Sequence, residues 1–150
     1  MAGVTSANRR VVTLVLDASV ALKLVTREPG TAEAQALLTR DEERIAPDWM
    51  LTEVASRLVK KIGRQEIGRA GAQVSFNALP SFIDRFVATG PMLSRAINLA
   101  ADVQHPLYDC MYLLTAIEED AVVVTADDGL LTAARRAGFA ERIERLIWTK

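Results

Sequence analysis

The run Val11–Leu16, apolar and β-branched with only Thr13 to interrupt it, ends directly on Asp17. A strand of that composition has no solvent-facing side. It belongs in the middle of a parallel sheet, covered on both faces. The chain repeats the device further on, where Val122-Val123-Val124-Thr125 leads into Asp127 and Asp128. A carboxylate at the end of a buried strand is costly unless it is hydrogen-bonded or matched by positive charge. In open α/β sheets that same end is where ligands sit.

The rest of the chain alternates between the two periods. After Asp17 a helix is expected with Val20, Ala21, Leu24 and Val25 inward, broken at Pro29-Gly30, and then a second over Thr31–Thr39. Ile45-Ala46 reads as a short strand. From Asp48 to Lys61, Leu51, Val54, Ala55, Leu58, Val59 and Ile62 recur on one helical face, with Gly63 as the stop. A weaker helix is expected over Glu66–Leu79, interrupted by Gly68 and Gly71. Phe82–Val87 reads as a strand towards an edge, Pro91 opens a helix reaching Val103, and Leu107–Glu119 is a helix apolar nearly all round. Ala121–Thr125 is a buried strand, Asp128–Ala137 a helix closed by Gly138, and Leu146–Trp148 a last strand. Strands alternating with helices predict an α/β sandwich around a mostly parallel central sheet.

At 150 residues the chain is one domain with a core of its own. Residues 1–10 are expected to be a disordered terminus and 11–150 the folded domain. A net charge of −1 argues against a simple nucleic-acid-binding module, which carries a basic stripe. It does not argue against an acidic site that works through bound cations. Cys110 is the single cysteine, so no intrachain disulfide forms, and it reads as a buried inert thiol. His105 is the single histidine and is read as structural or surface rather than catalytic. No apolar run approaches the roughly 20 residues that cross a bilayer, and none resembles a secretory signal, so a cytoplasmic location without membrane contact is expected.

Four acidic positions stand beside apolar elements. Asp17 either caps the following helix or belongs to a site beyond the strand end. Glu53 lies opposite the Leu51/Val54/Leu58 stripe, and periodicity alone makes it a solvated residue paired with Arg57. Asp109 sits in the first turn of a helix with little solvent-facing side, which favours a ligand role over stabilisation by the helix terminus. Of Asp127 and Asp128 one caps the next helix, and Asp127 is the better site candidate. Ser19 and Thr125 either orient these carboxylates or serve as local turn residues. If the acids converge, the natural partner is a hard divalent cation, Mg²⁺ or Mn²⁺, bound by oxygen alone and suited to phosphate chemistry.

Four segments in this order and spacing, LVLDASVALKL (Leu14–Leu24), PDWMLTEVASRL (Pro47–Leu58), HPLYDCMYLLTAIE (His105–Glu118) and VVVTADDGLL (Val122–Leu131), resemble the PIN-domain family, and within it the VapC-type toxins of toxin–antitoxin pairs. The resemblance implies a PIN-like three-layer sandwich. It also implies Mg²⁺- or Mn²⁺-dependent endoribonuclease activity, with Asp17, Glu53, Asp109 and Asp127 as the acidic quartet and Ser19 and Thr125 as supporting hydroxyls. It implies a homodimer, an RNA substrate, and a small antitoxin seated at the active-site groove. Trp49, Met50, Leu51 and Phe76 are apolar candidates for such contacts, although each reads first as core. Lys23, Arg27, Arg57, Lys60, Lys61 and Arg64 are candidates for RNA phosphates, although each reads first as solvated charge. The rivals are a catalytically silent PIN-like partner-binding module and a phosphatase or receiver domain. The phosphatase pattern needs an Asp where Ser19 stands. A receiver needs paired acids after its first strand and a lysine near its last, and neither is evident.

Overall fold

The computed structural model describes residues 12–147, so the expectations for residues 1–10, for Val11 and for Trp148 lie outside the described residues. Five strands, β1 (Thr13–Leu16), β2 (Glu43–Pro47), β3 (Arg85–Val87), β4 (Val122–Thr125) and β5 (Ile143–Arg145), form one sheet in the order β3-β2-β1-β4-β5. Every pairing is parallel, whereas the expectation was a mostly parallel sheet. The order differs from the β2-β1-β3-β4-β5 arrangement of receiver domains.

Helices α1 (Ala18–Val25), α2 (Thr31–Ala36), α3 (Trp49–Gly63) and α4 (Arg69–Ala78) follow the first strands. Helices α5 (Leu93–Val103), α6 (Leu107–Glu118) and α7 (Asp128–Arg136) follow the later ones. Helix α6 lies against β1, β2 and β4, and seven consecutive residues from Cys110 to Ala116 are buried. An amphipathic helix could not occupy that position without burying charge, which explains its uniform apolarity. The core runs through the middle strands, where Val15, Leu16, Ile45, Ala46 and Val123 are fully covered. Gly138 closes α7 at φ 91°, a left-handed conformation that glycine adopts without steric cost.

Several boundaries moved. Among the described residues strand β1 begins at Thr13, leaving Val12 exposed ahead of it, because its neighbours begin there: Thr13 pairs with Glu43 and Leu14 with Val122. Of the expected Phe82–Val87 strand, Phe82 ends a 3₁₀ turn, Leu79–Phe82, with Pro80 in its first turn, Ile83 and Asp84 are irregular, and only the edge strand β3 remains. Pro91 lies in a 3₁₀ turn, Gly90–Met92, ahead of α5. Helix α4 starts at Arg69, since Gly68 is extended. Among the described residues the last strand is Ile143–Arg145, and Leu146 and Ile147, expected to begin one, lie beyond it. Its register places Ile143 against Val123 in the core, while Glu144 and Arg145 give it the charged character of an edge strand.

Candidate active site

The strand order reverses at β1 and β4: from β1 the sheet grows one way through β2 and β3, and the other way through β4 and β5. A crevice beyond the carboxyl ends of two such strands is the ligand position of open parallel sheets. Asp17 follows β1 and Asp127 follows β4. The same edge carries the N-terminal turns of α3, which leaves β2, and of α6, which runs back towards β4. These bring Glu53 and Asp109.

Asp17 is a helix cap that also lies at this crevice. It is the N-cap of α1, accepting from the Val20 N–H at 3.1 Å, and is only 4% exposed. The Ser19 hydroxyl donates to its Oδ1 at 2.5 Å, and the Thr125 hydroxyl donates to its Oδ2. Both hydroxyls also accept from the β4 side, Ser19 from the Ala126 N–H at 2.9 Å and Thr125 from the Asp127 N–H at 2.9 Å. These two residues therefore stitch the ends of β1 and β4 together around one carboxylate. The donors are neutral. Burial pushes the Asp17 carboxyl up to about 6, and its hydrogen bonds and the field of Arg57 offset only part of that.

Removing one stitch should register in stability. In Thr125→Val the buried Asp17 oxygen and the Asp127 N–H both lose a partner, at an expected cost of about 1–3 kcal/mol, while Thr125→Ser retains most of the stability. Urea denaturation of the metal-free proteins measures this, and an unchanged midpoint in the valine variant would remove the hydroxyl from the account.

Asp127 is the N-cap of α7, its Oδ1 accepting from the Gly129 N–H at 2.8 Å. A Cβ on Gly129 would stand 3.1 Å from that oxygen and 3.5 Å from His105 Cε1, so glycine permits the close approach of helix, carboxylate and imidazole. Asp128 points elsewhere: it is exposed and pairs with Arg145 at 3.2 Å. Asp109 lies in the first turn of α6, half-buried, with Oδ2 2.8 Å from His105 Nε2. Burial raises its pKa, and the charges of Asp127 and Glu53 add to that rise. His105, read as structural or surface, is thus the direct partner of one site carboxylate and a neighbour of another.

Glu53 is not a solvated residue. Its side chain is 18% exposed, bound to Arg57 at 3.1 Å and to the Tyr112 hydroxyl at 2.5 Å. Tyr112, buried on α6, donates to a residue 59 positions away and is pushed well above the usual tyrosine range by burial and by Glu53. Burial lowers the Arg57 pKa, but the Glu53 carboxylate and Asp17 more than restore it. Tyr112 was missed in the sequence. The signal for it was a tyrosine in an otherwise apolar helix, since a buried phenol needs a partner. Cys110 is buried, its thiol pushed to about 11 by burial and by Asp109, as an inert thiol should be.

The four acids thus share one edge of the sheet, and Asp109 feels the charges of Asp127 and Glu53. Among the described residues, however, no three His, Cys, Asp or Glu side chains are gathered closely enough to hold a metal ion. Each carboxylate is turned to its own protein partner. The donor chemistry is all oxygen, with Asp17 desolvated and Asp109 strained by like charge, and it fits a hard divalent cation.

A model of the PIN domain matches residues 14–136. The fold is similar to that in the crystal structure of PAE2754 from Pyrobaculum aerophilum, with a TM-score of 0.69 at 20% identity over 91% of this chain and 85% of that one. No curated protein matches the sequence. The family model runs from within β1 to the end of α7 and spans all four acidic positions, and on that ground this chain belongs to the PIN-domain family.

Proposed function

We propose that the protein is a metal-dependent endoribonuclease that cuts single-stranded RNA and acts as the toxin of a VapBC-type toxin–antitoxin pair. Family membership supports a nuclease-type function. The observation that carries the metal-dependent reading is Asp17, a buried carboxylate at the switch point with only neutral hydrogen-bond donors and a raised pKa. The four matching sequence segments support the toxin assignment, and with it a small antitoxin and a homodimer.

Asp17, Asp109 and Asp127 would hold Mg²⁺ or Mn²⁺, with Glu53 ligating through water or orienting the attacking one. The cation, when bound, lowers the pKa of water and neutralises charge on the phosphoryl oxygens. The chain's own groups supply the rest. Ser19 and Thr125 hold Asp17 in one orientation, and His105 does the same for Asp109. Arg57 and Tyr112 each bind one oxygen of Glu53 and hold it in the wall of the cavity that Asp109 also lines. With water as nucleophile the products carry 5′-phosphate and 3′-OH ends.

Purified, antitoxin-free protein is expected to cleave single-stranded RNA, to stop on EDTA addition, and to resume with Mg²⁺ or Mn²⁺. Cleavage that persists in EDTA would overturn the metal-dependent reading. Protein that binds RNA and never cuts it would favour the silent PIN-like module. Sequencing RNA ends after induction, beside an Asp17→Ala control, identifies the target.

A further inference from the structure

Helix α6 and helix α3 meet through an aromatic pair that the acidic centre does not use. Trp49 and Tyr108 stack with ring centroids 5.3 Å apart and planes 18° from parallel. Tyr108 is 58% exposed, so one ring face rests on the indole and the other is open to solvent. A tyrosine so exposed, beside the first turn of a helix, gains little for the fold from lying there. The indole Nε1 of Trp49 is buried without a hydrogen-bond partner.

The position of the pair is what gives it a role. Trp49 and Tyr108 line a cavity of about 260 Å³ together with Pro106, Thr52, Glu53 and Asp109. Two of the four acids are therefore walls of the aromatic cavity. Glu53 and Ser56 are also walls of a second cavity of about 450 Å³, lined by Arg57, Lys60, Lys61 and Arg64. The surface therefore presents, in sequence, a row of cations, a cluster of carboxylates and a flat exposed ring. The cations are partly balanced: Arg57 by Glu53, Lys61 by Glu28 and Glu66, and Arg64 by Glu66. A basic groove that follows a backbone, joined to an aromatic face on which a base stacks, is how proteins hold unpaired nucleic acid.

We propose that Trp49 and Tyr108 form a base-stacking platform: a nucleotide flanking the cleaved bond lays its base on the open face of Tyr108, while the strand on the other side of the acidic centre follows Arg57, Lys60, Lys61 and Arg64. The proposal deepens the nuclease reading and rests on it for the nature of the ligand. It makes single-strandedness a requirement of the site, because a base within a duplex has no free face to offer. Trp49 serves as the rigid backing that holds Tyr108 in plane.

The test is RNA binding in EDTA, where no cleavage occurs, read by anisotropy of a labelled single-stranded RNA of about 12 nucleotides, within the usual site size of such grooves. Tyr108→Ala is expected to weaken binding roughly 5- to 100-fold, and Tyr108→Phe to stay close to the wild type. An abasic nucleotide moved along the RNA should weaken wild-type binding at one position, and Tyr108→Ala should be insensitive there. The duplex form should bind equally to wild type and Tyr108→Ala. Tyr108→Ala that binds the single strand as tightly as wild type overturns the proposal. So does a variant that loses self-association in sedimentation with RNA affinity intact, which would make the face a contact between copies. Wild type that binds through Tyr108 but never cuts RNA defeats the nuclease reading alone. Wild type that cuts RNA, with Tyr108→Ala binding unchanged, defeats the platform alone.

Discussion

Asp17→Asn should abolish RNA cleavage, by about a thousandfold or more, and leave the metal-free protein more stable than the wild type. The two effects share one cause. Burial holds the Asp17 carboxyl at about 6, above its ordinary value of 3.8. The folded state therefore binds a proton more tightly than the unfolded chain does. The stability this proton provides is complete below about pH 4 and is lost as pH rises through about 6. Each tenfold gain in proton affinity is worth about 1.4 kcal/mol, so the ionised group costs the fold about 3 kcal/mol at neutral pH. An amide carries no such cost, although it accepts less well from Ser19, Thr125 and the Val20 N–H, so the net gain is about 1–2 kcal/mol. The stability difference between variant and wild type should therefore widen from pH 4.5 to pH 7.5 in urea denaturation with EDTA. Mg²⁺ or Mn²⁺ should close the gap by stabilising the wild type, by about 2.7 kcal/mol at a hundred times the dissociation constant, and should do less for the variant. A variant that cuts RNA at the wild-type rate would remove Asp17 from the site. A difference that does not change with pH would refute the account of its burial.

Met50→Ala should be the opposite kind of change, a large loss of stability with the chemistry left in place. Met50, Val54 and Leu58 form the buried face of α3. That face fixes the helix on the core and sets the direction of Glu53 and Arg57, which flank it. Met50 is fully covered, so truncation removes its transfer energy and leaves a cavity, at about 2–5 kcal/mol. For a chain of this length that corresponds to a fall in melting temperature of roughly 5–15 °C. Cleavage at 20 °C, scaled to the folded fraction from circular dichroism, should stay within a few-fold of the wild type. A melting temperature within about 2 °C of the wild type would show that α3 is held by something other than this face.

The basic groove and the aromatic platform bear on the weak net charge of the chain. At −1 overall the protein has no long-range field to gather RNA. On the proposed reading, attraction would come from the face where Arg57, Lys60, Lys61 and Arg64 adjoin the acidic positions, whose sign a bound ion would reverse. Affinity for RNA should accordingly show only a shallow salt slope, since few phosphate contacts carry it.

Much of the fold was legible in the chain because the relevant forces are local. A strand covered on both faces has to be apolar throughout, and Leu14–Leu16 and Val122–Val124 say so directly. The uniformly apolar α6 declares its central position by the same logic, and Asp17 and Asp127 are visible as acids at strand ends. Boundaries failed where a neighbour, not the segment, set the limit: Val12 is as strand-like as Val15 but has no strand beside it. Ile143–Arg145 carries two charged residues and no apolar run to mark it as a strand, because half of an edge strand faces water. Only the tertiary structure decided that the sheet reverses between β1 and β4, that Glu53, beside its expected partner Arg57, turns inward to Tyr112, and that His105 holds Asp109. Those facts depend on which residues meet across a sequence separation as large as 59 positions, as between Glu53 and Tyr112. Periodicity records which way a side chain leans from its own helix, and the identity of what it meets is a property of packing between elements.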